Sequence, residues 1–389
     1  MRPPGPDTRR LPTGAPGPLV LILAATALLA TAASASAQLV RGVVVDSASD
    51  EPLAGATVRL VSDRGGAVGG ALLGADGRFV LRAPSPGRYA VQVQRVGWSL
   101  TRDTTLDLAA SDTIWRRIVV AAVPVSLSEI RVTGRGGCGA RSDARETFLV
   151  WEEARKALDA TMVTRGSRLI RAAVVDYDRE LDLRSLRVEK ESREERVGLV
   201  TQPYFSPPPE TFHALGYMQE LDGDTWFFAP SAEVLLSPYF LREHCLHLVP
   251  GSGARAGMVG LRFEPAATRK LPDISGVLWL DVRSAELRDI EFRYTGLPDY
   301  MPSSKIGGRV EFARLSNGAW VMRRWVVRAP ILQRQNQPQL HGNNPGGLGS
   351  AHGRSGETRY KVLAIREVEG EIVWATSATG VALFGAPPP

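Results

Sequence analysis

The sequence predicts a mainly β protein: an N-terminal β-sandwich, then an α+β domain in which a curved antiparallel sheet packs on one amphipathic helix. Three observations carry this. Between Leu39 and about Val123, apolar residues recur at alternate positions in short runs separated by turn residues, as in half-buried strands. One segment, Glu146 to Thr161, has helical periodicity instead. Beyond it the period of two returns and continues almost to the C-terminus.

In the first region, Val43 and Val45 alternate with their neighbours before a turn at Asp46 to Pro52, and Val58 and Leu60 do so after Gly55. Phe79 and Leu81 follow Asp76-Gly77, a hairpin dipeptide, and Tyr89, Val91 and Val93 follow Pro86-Gly87. A last strand, Ile114 to Val120, sets Ile118 and Val120 on one face, with Arg116 and Arg117 beside them. Facing one another, these apolar positions make the inside of a two-sheet sandwich.

The same residues come in a recognisable order: Gly42-Val43-Val44-Val45-Asp46, then Pro52-Leu53-Ala54-Gly55-Ala56-Thr57-Val58, Gly77-Arg78-Phe79, Pro86-Gly87-Arg88-Tyr89 and Val96-Gly97-Trp98. This resembles the carboxypeptidase regulatory-like domain, a transthyretin-like sandwich found in many bacterial surface proteins. The resemblance implies an accessory module with no peptidase site of its own. Leu73-Gly74-Ala75 departs from the family pattern, which more often has a Thr shortly before the turn. The next segment, Val125 to Gly134, is similar to the one that follows this domain in TonB-dependent outer-membrane transducers. The remaining chain, about 250 residues, lacks the many evenly spaced membrane strands of such a barrel. Residues 124–145, Gly-rich near Cys138, are therefore read as a linker.

Within Glu146 to Thr161, Phe148, Trp151, Ala154, Ala157 and Leu158 fall near one helical face, and Glu152, Glu153, Arg155 and Lys156 fall on the other. Glu152 and Lys156 have the i,i+4 spacing of a favourable pair. Strands are expected near 168–177, 186–190, 261–264, 276–280, 287–294, 308–315, 320–327 and 358–368, pairing as an antiparallel meander. The hairpin around Trp279 shows the period best, with Ile290, Phe292 and Tyr294 on one face and Asp289, Glu291 and Arg293 on the other. The helix-then-strands order over 146–385 is similar to periplasmic lipoprotein-sorting half-barrels, which implies an apolar cavity.

The chain opens with Arg2, Arg9 and Arg10, an apolar run from Leu19 to Ala33, and Ala35-Ser36-Ala37, the layout of a secretory signal peptide over residues 1–37. The run is about 15 residues, short of the roughly 20 of a membrane-spanning helix. An exported chain beginning at Gln38 is expected, in the periplasm or at the outer membrane. Export makes Cys138 and Cys245 candidates for a disulfide closing about 107 residues; the alternative is two separate buried thiols. A net charge of +6 over 389 residues, with no dense Lys/Arg block, argues against nucleic-acid binding.

No nucleophile elbow, phosphate loop, zincin helix or dinucleotide fingerprint occurs. Glu243, His244, Cys245 and His247 are metal-ligand types, but no second group at zinc spacing completes a set of four. The charge run Glu189 to Arg196 reads as a solvated hairpin face. Two binding features remain: the polar, Gly-rich loop Gln333 to Glu357, and an aromatic and proline concentration at Tyr204, Phe205, Trp226 and Phe227. With Trp279, Phe292 and Tyr294 these aromatics form the candidate ligand-binding set. The expectation is a non-enzymatic exported binding or envelope-structural protein, without cofactor or bound metal, whose partners are envelope proteins, lipid or glycan. Two other readings stay open: a partner-docking relative of the outer-membrane transducers, and a hydrolase whose site is assembled from dispersed residues.

Overall fold

The structure, a computed structural model, describes residues 38–99, 101–121, 123–128, 130, 144–221, 224–335 and 359–386. The expected signal peptide, the 131–143 stretch with Cys138, and the 336–358 loop lie outside the described residues.

Seven strands form the N-terminal part: β1 Gln38–Asp46, β2 Thr57–Ser62, β3 Ala67–Leu72, β4 Arg78–Ala83, β5 Gly87–Gln94, β6 Thr101–Leu108 and β7 Thr113–Val120. One sheet has the order β4-β1-β7, with β1 and β7 parallel, and the other has the order β3-β2-β5-β6. Val40, Val44, Phe79, Leu81, Ile118 and Val120 from the first meet Val58, Leu60, Tyr89, Val91 and Val93 from the second. The period of two in the sequence is therefore the inside of a sandwich. Strands β3 and β6 escape that pattern: β3, with its glycines, is only partly covered, and β6 carries Thr, Arg and Asp.

Helix α1, Ala144–Ser167, is longer at both ends than the periodic segment. It is followed by β8 Ile170–Leu181 and β9 Val188–Leu199, then three short helices, α2 Pro209–Leu215, α3 Ala232–Leu235 and α4 Pro238–Glu243. A small hairpin, β10 Met218–Leu221 and β11 Asp224–Phe227, lies between α2 and α3. The rest is β12 His244–Pro250, β13 Met258–Pro265, β14 Asp273–Asp281, β15 Leu287–Thr295, β16 Gly307–Arg314, β17 Trp320–Gln335, β18 Arg359–Ser377 and β19 Ala382–Phe384. Together these strands make a ten-stranded antiparallel sheet of order β12-β13-β14-β15-β16-β17-β18-β8-β9, with β19 also on β18. Register shifts in β14, β16, β17 and β18 bend it locally.

Helix α1 packs against β8, β12 to β15 and β17. Its 24 residues span about 36 Å, close to the roughly 34 Å between the first and eighth strands of the sheet, so one helix reaches across. Val150, Trp151, Ala154, Ala157 and Leu158 enter the sheet's core. Phe148, expected among them, is exposed instead, two residues before Val150 opens the buried stripe.

The charged face of α1 also departs from expectation, because the sandwich covers it. Glu153 accepts from the Gly97 amide at 2.8 Å and pairs with Lys156 at 2.6 Å, while the Lys156 ammonium donates to the Trp98 carbonyl. Asp159 takes Arg59 at 2.7 Å and the Gln94 amide. Burial pushes the Glu153 and Asp159 carboxyls above their ordinary values, against the pull of Lys156 on one and of Arg59 on the other. Glu152 turns to Arg155 at i,i+3, not to Lys156. A second contact joins the two parts at Gly55 and Gly318: both have positive φ, and a Cβ on either would lie within 2.7 Å of the other's Cα. The expected linker carries structure as well, with Leu127 buried and its amide bonded to the Val282 carbonyl.

The other face of the large sheet is an ion-pair lattice. Arg328, Glu367, Arg179 and Glu191 stand directly opposite one another across β17, β18, β8 and β9, and each neighbouring pair is bonded, at 2.6 to 3.0 Å. Glu369 is held by Arg324 and Arg179, and Asp289 by Arg255. At the sheet's edge, the β9 charge run is solvent-exposed.

Two outcomes follow. Arg59→Met leaves Asp159 buried without its cation and should lower the stability by about 3 kcal/mol in urea unfolding; adding Asp159→Asn should recover most of the loss. Purely additive losses would mean that the pair does not couple the two parts. For Glu369, burial raises the carboxyl pKa, but bonds from Arg179 and Arg324 outweigh it and hold the value below the ordinary one. A folded-state pKa below the unfolded value of about 4.3 gives stability that is present above that pH and lost as pH falls through the folded value. Glu369→Gln should therefore lower the melting temperature at pH 7 and flatten its decline below about pH 4.3; an unchanged acid limb would contradict this.

Candidate functional site

Between the β10–β11 hairpin and the β17–β18 pair runs a groove of about 570 Å³, within the size range of small-molecule sites. Its existence depends on strand length. Strand β16 pairs with β17 only as far as Arg328, so from Ala329 onward β17 has β18 as its single neighbour. That free edge tolerates Pro330, which has no N–H to donate, and a register shift at Ile331/Leu332 follows. Ala329 and Ile331 on this projecting stretch join Val327 and Val368 in an apolar floor.

Four of the sequence-predicted aromatics line the groove: Tyr204, Phe205, Trp226 and Phe227. Phe228 organises them, meeting Phe205 edge-to-face at 6.0 Å, Trp226 in parallel at 6.5 Å and Phe212 edge-to-face at 6.2 Å. Phe205 is 76 % and Trp226 51 % exposed, so both offer ring surface to a ligand. Tyr204 anchors the segment by donating its hydroxyl to the Pro230 carbonyl at 2.9 Å, and burial pushes its phenol well above the usual value, keeping the donor protonated. Phe227 is wedged edge-on against Tyr294 at 5.2 Å.

The other three candidates lie elsewhere. Phe292 and Tyr294 are 6 % and 1 % exposed and belong to the core, where the Tyr294 hydroxyl donates to the Phe228 carbonyl. Trp279 lies beneath the Arg255 guanidinium, 5.1 Å from its ring centre, beside the ion-pair lattice. Their alternation reported a strand correctly, and alternation alone does not separate a core face from a ligand face. Conversely, Trp325, Val327, Ile331 and Val368 were missed. The apolar run from Trp325 to Leu332, interrupted by Pro330, was the available signal, since a proline inside a strand marks an edge.

Polar groups are few and peripheral: Asp224, Thr225 and Arg366, the last bonded to Asp178 at 2.9 Å. One buried donor at the wall, the Trp325 Nε1, has no partner among the described residues. The groove thus offers aromatic and aliphatic contact with a polar rim, and no paired acid and base line it.

The histidine cluster has a different role. His244 sets Nδ1 against the Phe240 carbonyl and Nε2 against Asp273 and the Ile274 carbonyl, so both ring nitrogens are engaged. Glu243 pairs with His213 and Arg269. Among the described residues no three His, Cys, Asp or Glu are grouped to hold a metal ion. Cys245 lies partly buried on β12, while its expected partner Cys138 is outside the described residues. No described helix is long and apolar enough to cross a membrane.

No curated protein matches the chain. Solved structures similar to parts of it include a 5-hydroxyisourate hydrolase of Klebsiella pneumoniae, 18 % identical, covering 22 % of this chain and 85 % of that one at a TM-score of 0.18. A minor pilin of Streptococcus agalactiae is 18 % identical, with coverages of 26 % and 49 % and a TM-score of 0.19. A DUF3823 family protein of Bacteroides uniformis is 13 % identical, with coverages of 62 % and 90 % and a TM-score of 0.17. Similarity at this level says nothing about activity. Over residues 39–121 the chain matches the carboxypeptidase regulatory-like domain family, in agreement with the turn and strand residues from Gly42 to Trp98.

Proposed function

We propose that this is a non-catalytic, exported binding protein of the cell envelope, which holds an apolar ligand in the groove between β11 and the projecting β17–β18 pair. One observation carries the reading: exposed Phe205 and Trp226 face an aliphatic floor that the protein's own side chains leave open. Burying such surface on a ligand is favourable at about 25 cal/mol per Å², and the rim groups Asp224 and Arg366 would face the ligand's polar end. The regulatory-like domain is consistent with an accessory, non-catalytic role, since its fold by itself specifies no chemistry. The Cys138–Cys245 disulfide belongs to the same proposal, because export would oxidise both thiols.

Titration with a fluorescent fatty acid should show saturable binding that Trp226→Ala weakens about tenfold, the loss expected for one aromatic contact. Binding that is unsaturable, or unaffected by Trp226→Ala and by a blocking Val327→Glu, would dismiss the groove as the site. For the disulfide, mass mapping of non-reduced peptides should recover Cys138 and Cys245 in one linked species; free thiols at both would refute it.

A further inference from the structure

The outward face of the β4-β1-β7 sheet combines arginines with exposed apolar side chains. Its outward positions carry four arginines, Arg41, Arg78, Arg82 and Arg117, and no acidic residue, while Arg116 and Asp46 have the parity of the inward residues. Strand alternation sends Val40, Val44, Phe79, Leu81, Ile118 and Val120 inward, so the opposite positions face solvent. Register sets them in rows: Val80, Arg41 and Trp115 stand side by side, next to a row of Arg78, Val43 and Arg117. Trp115 is 61 %, Val80 57 % and Val119 48 % exposed. Arg117 pairs with Asp50, and Arg78 has only Asp76 at 3.9 Å, both at the margin. Arg41 and Arg82 have no ion-pair partner among the described residues. The large sheet provides the contrast, since there Arg179, Arg255, Arg324 and Arg328 each meet a carboxylate.

We propose that this face docks on an anionic phospholipid surface. Arg41 and Arg82, with no carboxylate beside them, match the negative potential of anionic headgroups, and each basic residue close to such a surface adds to the attraction. Trp115 and its valine neighbours suit the boundary between headgroups and acyl chains, where an indole can keep its apolar body in the lipid and its N–H in water. An acidic protein or polysaccharide would satisfy the arginines but leave Trp115, Val80 and Val119 wet, and for that reason lipid is favoured.

The test is co-sedimentation of the purified chain with vesicles of phosphatidylglycerol mixed with phosphatidylcholine, compared with phosphatidylcholine alone. Binding should require phosphatidylglycerol and disappear at 1 M salt, where the screening length falls to about 3 Å. Arg41→Glu with Arg82→Glu should weaken it at least about 25-fold, from roughly fivefold per arginine. Trp115→Ser should weaken binding without changing its salt dependence. The apolar Leu19 to Ala33 run is common to parent and variants, so the difference between them reports on the face alone. Trp226→Ala, in the groove, should leave vesicle binding unchanged, which separates this proposal from the ligand site. Equal binding to phosphatidylcholine alone, indifference to the arginine variants, or binding to a soluble acidic polysaccharide with none to vesicles would each overturn it.

Discussion

Helix α1 is covered on both sides, and most of the architecture follows from how that is made tolerable. An amphipathic helix ordinarily turns its charges to water. Here the apolar stripe enters the large sheet while Glu153, Lys156 and Asp159 press on the sandwich. Charges removed from water destabilise unless each is paired and hydrogen-bonded. The sandwich meets that requirement with Arg59 and Gln94 from its outer face and with backbone groups at Gly97 and Trp98. These partners satisfy the buried charges in only one arrangement, so the polar contact fixes how the two parts sit on each other. The Gly55–Gly318 approach, which leaves no room for a side chain, points the same way.

The resulting order of layers divides the surface into faces of different chemistry. The sandwich presents an arginine-rich sheet on its far side. The large sheet turns a neutralised ion-pair lattice to solvent, with Glu367, Glu369 and Asp289 nearly buried among arginines. On its helix side α1 covers part of the surface, and the β10–β11 hairpin faces the remainder across the groove. The groove exists because β17 outruns β16, leaving the part of its apolar floor from Ala329 onward with no strand on that side. A longer β16 would pair with that edge and exclude the proline.

Much of the fold was legible in the sequence because strand alternation is a local signal. Val58, Leu60, Phe79 and Leu81 report their faces without knowledge of what they touch. The N-terminal motifs also carried a family likeness that the domain match bears out. Strands β3 and β6 were not legible, since glycine and polar residues conceal the period. The aromatic concentration at 204–227 stood out by composition and came together along one groove, but the floor from Trp325 to Val368 did not. Its residues lie on strands whose exposure depends on where a neighbouring strand stops.

By itself the sequence determined the mainly β character, the sandwich, the helix and the absence of a recognisable catalytic motif, because each rests on spacing along the chain. Tertiary structure decided which periodic faces are core and which are open. Tyr294 and Trp226 are both aromatic residues on strands, yet one is sealed under Phe227 and Phe228 and the other is half exposed. It also decided that the charged face of α1 is an interface and that Arg41 and Arg82 of the sandwich lack the carboxylates found across the large sheet. Burial and pairing depend on residues distant in the chain, so no local pattern records them.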